Sequence, residues 1–248
     1  MNKQKFKEAC EKIISAEREQ NGIGTLGEKT LHAVLKQYFD PDITNHEMKI
    51  GSFVADIVAE TGIIEIQTRA FDKLRKKLAE FLEISPVTVV YPIPKTKWLL
   101  WIDEQTGETT KKRKSPRQGR IIDVIPELYK IKPLLQHNNF RLCIVFIDME
   151  EYRYLNGWSK DKKKGSTRYD RVPIDIVEEV YINTAVDYLK FIPNELSDGF
   201  TSKDYKNAAH TNLHTAQTAL NIFNHVGIVN RVEKQGNSYV YERKTSHE

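Results

Sequence analysis

Apolar and polar positions along this chain change period from block to block, and each period predicts an element. Phe6, Ala9, Cys10, Ile13 and Ile14 recur at helical spacing, so the first ~20 residues read as a helix. "NGIG" breaks that pattern. "TLGEKTLHAVLKQYF" predicts a second helix, with Thr25 as cap and Glu28 three residues on, as in a capping box. Glu28, Leu31, Leu35 and Tyr38 share one stripe, so this glutamate leans toward the buried side. After "DPD" come three short strands, "HEMKIG", "FVADIVAE" and "GIIEIQTR", with turns at "IGS" and "ETG". "FDKLRKKLAEFLEIS" is an amphipathic helix with Phe71, Leu74, Leu78, Phe81 and Leu82 on its apolar stripe. "PVTVVYPIP" reads as a buried strand ended by its prolines. The order is helix, three strands in a meander, helix, strand.

Further on, "KWLLWIDEQTGETTKKRK" predicts a hairpin turning at Gln105 to Gly107. "PELYKIKPLL" reads as a helix interrupted by Pro133, and "FRLCIVFIDME" as a strand added to the same sheet. "PIDIVEEVYINTAVDYLKFIP" reads as one or two short helices. "TSKDYKNAA" is a capped short helix, and "TNLHTAQTALNIFNHVG" a longer one stopped at Gly227. "IVNRVEKQGNSYVYERK" closes the series as a hairpin turning at "QGN". Helix, helix, longer helix and basic hairpin is the arrangement of a winged helix-turn-helix. The expected division is therefore residues 1–180 and residues 181–248.

Composition narrows the class. Hydrophobic residues make up 40% and charged residues 29% of the 248, which suits a folded soluble protein rather than a disordered one. No apolar run approaches the ~20 residues of a membrane span. The charged start does not read as a signal peptide. Cys10 and Cys143 fit no metal or redox spacing, so a cytoplasmic setting is expected. The net charge is only +4, but "KKRKSPRQGR" (Lys111 to Arg120) holds six basic residues and no acid. "KDKKKGSTRYDR" (Lys160 to Arg171) holds six against two acids. Such runs read as contacts to a phosphate backbone, or as solvated basic loops.

The acids inside the strands carry the chemistry. Along "GIIEIQT", parity puts Ile64 and Ile66 toward a core and Glu65 and Gln67 on the opposite side. Asp56 lies mid-strand in "FVADIVAE", within a few residues of Glu65 across the hairpin. Two nearby carboxylates repel unless a cation sits between them. A hard divalent ion with oxygen ligands meets that need, and Mg²⁺ (or Mn²⁺) is the expected one, with the Ile66 carbonyl as a backbone ligand. A lone strand acid is more often an edge residue or a lysine partner; the ordered set is more specific.

That set resembles the PD-(D/E)XK nuclease superfamily of restriction endonucleases, Holliday junction resolvases and exonucleases. The resemblance rests on "GEKTLH", "VADIV" and Glu65-Ile66-Gln67, and covers roughly Thr25 to Pro94. It implies a restriction endonuclease-like αβββαβ core with a mixed sheet, in the α/β (α+β) class. It also implies Asp56 and Glu65 as metal ligands, with Glu28 as an added helical acid. The family's motif lysine is replaced here by Gln67, which cannot carry charge but can hydrogen-bond a water. Some restriction endonucleases with Glu-x-Gln are similar in this and remain active with metal. Arg69 and Lys73 lie close behind Gln67 and are candidates for the missing charge.

The leading expectation is a Mg²⁺-dependent endonuclease acting on duplex or branched DNA, with catalytic Glu28, Asp56, Glu65 and Gln67. Lys111, Lys112, Arg113, Lys114, Lys162, Lys163 and Lys164 would hold the backbone, giving salt-dependent affinity. In the C-terminal module His214 and Gln217 on the longer helix, and Arg231 and Lys234 on the wing, are further DNA contacts. A homodimer would suit cutting both strands. The rivals are a catalytically inactive nuclease-like DNA-binding or regulatory protein, and a scaffold for an acidic protein partner.

Overall fold

The structure is a computed structural model, and it describes residues 1–21, 29–156 and 167–244. The main sheet has seven strands: β1 (His46–Ile50), β2 (Phe53–Ala59), β3 (Gly62–Ile66), β4 (Val87–Ile102), β5 (Arg113–Lys114), β6 (Phe140–Tyr154) and β7 (Thr167–Ile182). Their order is β1-β2-β3-β4-β6-β7, with β5 on β4. β1 and β2 are antiparallel and β3 and β4 parallel, so the sheet is mixed and the class is α+β. The expected order of helix, three strands, helix and strand is present, from α2 (Thr30–Phe39) through α3 (Arg75–Ile84) to β4. The parallel β3–β4 pair requires a crossover, and α3 supplies it.

The chain forms two compact units that interleave in sequence. The first comprises residues 1–60, 92–120 and 144–179, and the second 61–91, 121–143 and 180–248.

In the first unit, α1 (Lys3–Asn21) packs on α2 through Phe6 and Tyr38, whose rings meet edge to face at 5.4 Å. Phe6, Ala9 and Cys10 are buried, as the helical stripe predicts. The Cys10 thiol lies 3.9 Å from the Pro173 carbonyl; burial, then the charge of Asp175, push its pKa up to about 12. β1 and β2 turn at Gly51 and Ser52, with Ile50 opposite Phe53.

Two expectations fail in the strands. β4 does not end at its prolines but runs through Pro92 and Pro94 to Ile102. The last residue of β3, Ile66, lies opposite Val90, so both prolines fall past the β3 ladder, where a missing N–H costs it nothing. The run from Pro173 to Ile182 is strand, not helix. Val172, Ile174, Ile176, Val177, Val180 and Ile182 make it rich in β-branched side chains, which favour a pleated surface over a helix. β7 ends the strand order, where Pro173 is tolerated.

In the second unit, α3 buries Leu78, Phe81 and Leu82, and α4 (Ile125–Lys130) buries Ile125 and Leu128. Gly62 opens β3 at φ +126°, and Ile63 N–H donates to the Pro86 carbonyl at 2.8 Å. A Cβ at Gly62 would lie 2.4 Å from that same oxygen. Gly62→Ala should therefore cost at least ~2 kcal/mol, from strained backbone plus the clash. A lowered urea midpoint at unchanged m-value is the expected readout.

The C-terminal segment holds a 3₁₀ turn (Ala185–Phe191), β8 (Phe200–Thr201), α5 (Ser202–Ala208), α6 (Leu213–Val226), β9 (Val229–Gln235) and β10 (Ser238–Arg243). The strands form a small sheet in the order β8-β10-β9. Tyr205, Phe191 and Phe223 form its aromatic centre, and the Tyr205 hydroxyl donates to the Phe191 carbonyl at 2.8 Å. The Asn212 side chain caps α6 by accepting from Thr215 N–H, and Gly227 stops the helix at φ 82°.

Candidate active site

Asp56 belongs to the first unit and Glu65 to the second. On β2, Ala55 and Ile57 are fully buried, while Asp56 lies on the other face, half-buried, beside the exposed Val54. Its Oδ2 stands 3.2 Å from Nε2 of His32 on α2. Both side chains keep partial access to water, at 25% for His32 and 21% for Asp56. The sequence reading did not include His32. It lies four residues after Glu28 in sequence, a spacing that could have pointed to it.

Glu65 sits deeper than parity alone implied. It is 1% exposed, and its neighbour across the pleat, Ile66, is 2% exposed, so both faces of β3 are covered here. An isolated carboxylate could not be buried in this way. Its Oε2 accepts from Nζ of Lys77 at 2.5 Å. Lys77 comes from α3, where its ammonium also lies 5.7 Å over the Phe81 ring. The positive charge beside Glu65 thus comes from the crossover helix, one turn after Lys73. Arg69 and Lys73 themselves are exposed.

Gln67 follows Ile66 beyond the end of β3. Its N–H donates to the Val90 carbonyl at 2.9 Å, extending the parallel ladder. Its side-chain amide donates to the Arg69 carbonyl at 2.5 Å. That bond braces the turn into Ala70, which is left-handed at φ 60°, and into the 3₁₀ turn Phe71–Leu74. The Phe71 N–H at the start of this turn donates to Glu127 at 2.9 Å.

The remaining expected residues are dispersed. Glu28, Lys162, Lys163 and Lys164 lie outside the described residues, as does Thr25. Lys111, Lys112, Arg113 and Lys114 are exposed around β5, and Lys112 pairs with Glu150 at 2.6 Å. His214 and Gln217 are exposed on α6, and Lys234 on β9. Arg231, also on β9, stacks its guanidinium 4.5 Å over Tyr239. Among the described residues no cluster of three or more His, Cys, Asp or Glu is placed to hold a metal. Asp56 and Glu65 each offer carboxylate oxygens, the donor type that hard cations take. Among the described residues no helix is long and apolar enough to cross a membrane.

A family model described as a domain of unknown function (DUF8091) matches residues 29–183, more than half of the chain. An uncharacterized protein of Treponema pallidum (strain Nichols) is 32% identical over 150 residues, covering 60% of this chain and 57% of that protein. The chain thus matches little more than half the length of that relative. No solved structure matches.

Proposed function

We propose that this chain, which belongs to the DUF8091 domain family, is a metal-dependent nuclease acting on DNA, with a nuclease-like core followed by a winged-helix-like module. The observation that carries the reading is the pairing of the buried Glu65 with Lys77 on the strand–helix–strand crossover β3-α3-β4. It sets an ammonium from the crossover helix against the acid that the resemblance assigns to the motif, whose lysine position is held here by Gln67. Asp56 supports it from the preceding strand, with His32 from α2 at its side.

In this reading Asp56, and Glu65 with the Ile66 carbonyl, would each offer oxygen ligands to Mg²⁺, with Glu28 as a further candidate. When bound, the ion would activate water and stabilise charge on the scissile phosphate. Lys77 fixes the orientation of Glu65 and brings the positive charge that Gln67 lacks. Gln67 braces the turn after β3 through its amide, and its remaining carbonyl oxygen is an acceptor toward water. His32 orients Asp56. The module from Thr184 onward would contribute α6 and the β9–β10 wing to DNA binding, through His214, Gln217, Arg231 and Lys234.

The test is incubation of supercoiled, linear duplex and branched DNA with Mg²⁺ or Mn²⁺. Nicked or shortened product that EDTA abolishes is the expected result; no product from any substrate with either ion counts against the proposal. One observation favours a second reading, that of a DNA-binding protein without catalysis. The Gln67 amide is engaged with Arg69, and both acids already have basic partners. That reading expects DNA binding with no metal-dependent product.

A further inference from the structure

One buried acid gathers four basic side chains on β4, β6 and β7. Glu151 on β6 is fully buried. Its Oε1 accepts from Arg153 through Nε at 2.7 Å and also through Nη2. Its Oε2 lies 3.1 Å from Arg171 Nε, 3.3 Å from Lys97 Nζ and 3.6 Å from Arg168 Nε. Burial alone would raise the Glu151 carboxyl. The charges of Lys97 and Arg171 and the hydrogen bond from Arg153 outweigh it and hold the pKa at about 2. The acid is therefore ionised at any working pH, yet its single charge faces four of opposite sign. Among the described residues, Glu150 pairs with Lys112, and Asp148 and Asp170 accept from the Thr96 N–H and the Thr30 hydroxyl.

The cluster opens to water by degrees. The side chains of Lys97, Arg153 and Arg171 are 18–19% exposed, and that of Arg168 is 42% exposed. The basic run after residue 110 joins the same strand. In the β4–β5 pair, Leu99 lies opposite Arg113, and Ser115 N–H donates to the Lys97 carbonyl at 2.7 Å. Strand parity puts Arg113 on the side of Lys97. The run ends at Gly119, whose N–H donates to the Pro94 carbonyl at 2.8 Å, so it is fastened to β4 at both ends.

We propose that Lys97, Arg113, Arg153, Arg168 and Arg171, set around Glu151, form a binding surface for the phosphate backbone of nucleic acid. Glu151 acts as the positioning residue: it fixes guanidinium planes that would otherwise repel one another and splay. Arginine forks match phosphate oxygens two at a time, and a pre-oriented fork loses less entropy on binding. Four arginines with Lys97, beside the basic run from Lys111 to Arg120, suit the closely spaced phosphates of a nucleic-acid backbone. This surface rests on the nucleic-acid reading above and names where the backbone is held.

The test uses the full chain in EDTA with a fluorescent 20-base-pair duplex, its affinity read by anisotropy over a salt series. Arg168→Ala should weaken binding about 5-fold at low salt and flatten the slope of log K against log salt by about 1. Arg168→Glu should weaken it further, by about 30-fold on the same electrostatic grounds. Arg168 is the most exposed of the four cations around Glu151, so Arg168→Ala should melt with the wild type. Wild-type affinity and slope in both Arg168 variants would overturn this inference alone, since cleavage is read separately. Wild-type protein that binds no DNA would overturn it together with the nucleic-acid reading. Displacement of the duplex by polyglutamate at equal charge concentration would assign the surface to acidic peptides and overturn it as well.

Discussion

Asp56→Asn is expected, on the nuclease proposal, to lower metal-dependent DNA cleavage by about 10³-fold or more, since losing a metal ligand would forfeit several kcal/mol of transition-state stabilisation. The substitution is nearly isosteric and keeps a polar group toward His32, 3.2 Å from Oδ2 in the native chain. What it removes is the negative charge. Asp56 is half-buried rather than enclosed, so the stability change should stay within about 1 kcal/mol. A plasmid-nicking time course and a thermal melt, run on the same preparations, separate the two effects. Undiminished cleavage by the folded variant would sink the assignment of Asp56. Binding without cleavage in variant and wild type alike would instead favour the non-catalytic reading.

Glu151→Gln is expected to destabilise the chain by about 3–5 kcal/mol, the usual consequence of removing one partner from a buried ion pair. In a domain of this size that is a fall in Tm of about 10 °C. The cause is that Lys97, Arg153 and Arg171 would face one another with no anion among them. The same residue sets an acid limit. The carboxyl is held at about 2, below its ordinary 4.5, so between those values the unfolded chain binds the proton and the folded chain does not. Glu151 thus stabilises the fold fully above about pH 4.5, and that contribution disappears as pH falls toward 2. Denaturant melts from pH 6 to pH 3 should show a steep loss in the wild type and a shallower one in Glu151→Gln. Parallel curves would mean that other carboxylates carry the acid sensitivity.

The residues differ in how openly the sequence displays such roles. The β1–β2–β3 meander was legible because its turns sit on Gly51 and Gly62 and its strands are short. The face of Asp56 was legible too, since Ala55 and Ile57 alternate with it and are fully buried. Parity misjudged the depth of Glu65, because it knows only one strand and not the helix whose Lys77 lies against it. Lys77 and His32 were missed for the same reason: each meets its acid through packing, 12 and 24 residues away in sequence. Glu151 was hidden further, as its partners come from three strands and no motif spaces them. β4 was expected to stop at its prolines and the run from Pro173 to be helical, yet both are strand, where β-branched content prevails. Local preference yields where a long strand has neighbours on which to pack.

The two cysteines have a practical consequence. Both are buried, and the Cys10 thiol is pushed up to about 12, so neither presents a ready thiolate to alkylating reagents. The native chain should therefore be nearly silent toward maleimides without any cysteine being removed. Lys49 and Lys203 are exposed and fall in different units. The double variant Lys49→Cys, Lys203→Cys would accept a spin-label or dye pair at those two positions alone. The separation of the units, and any change in it when DNA is added, would then become a distance read directly in solution.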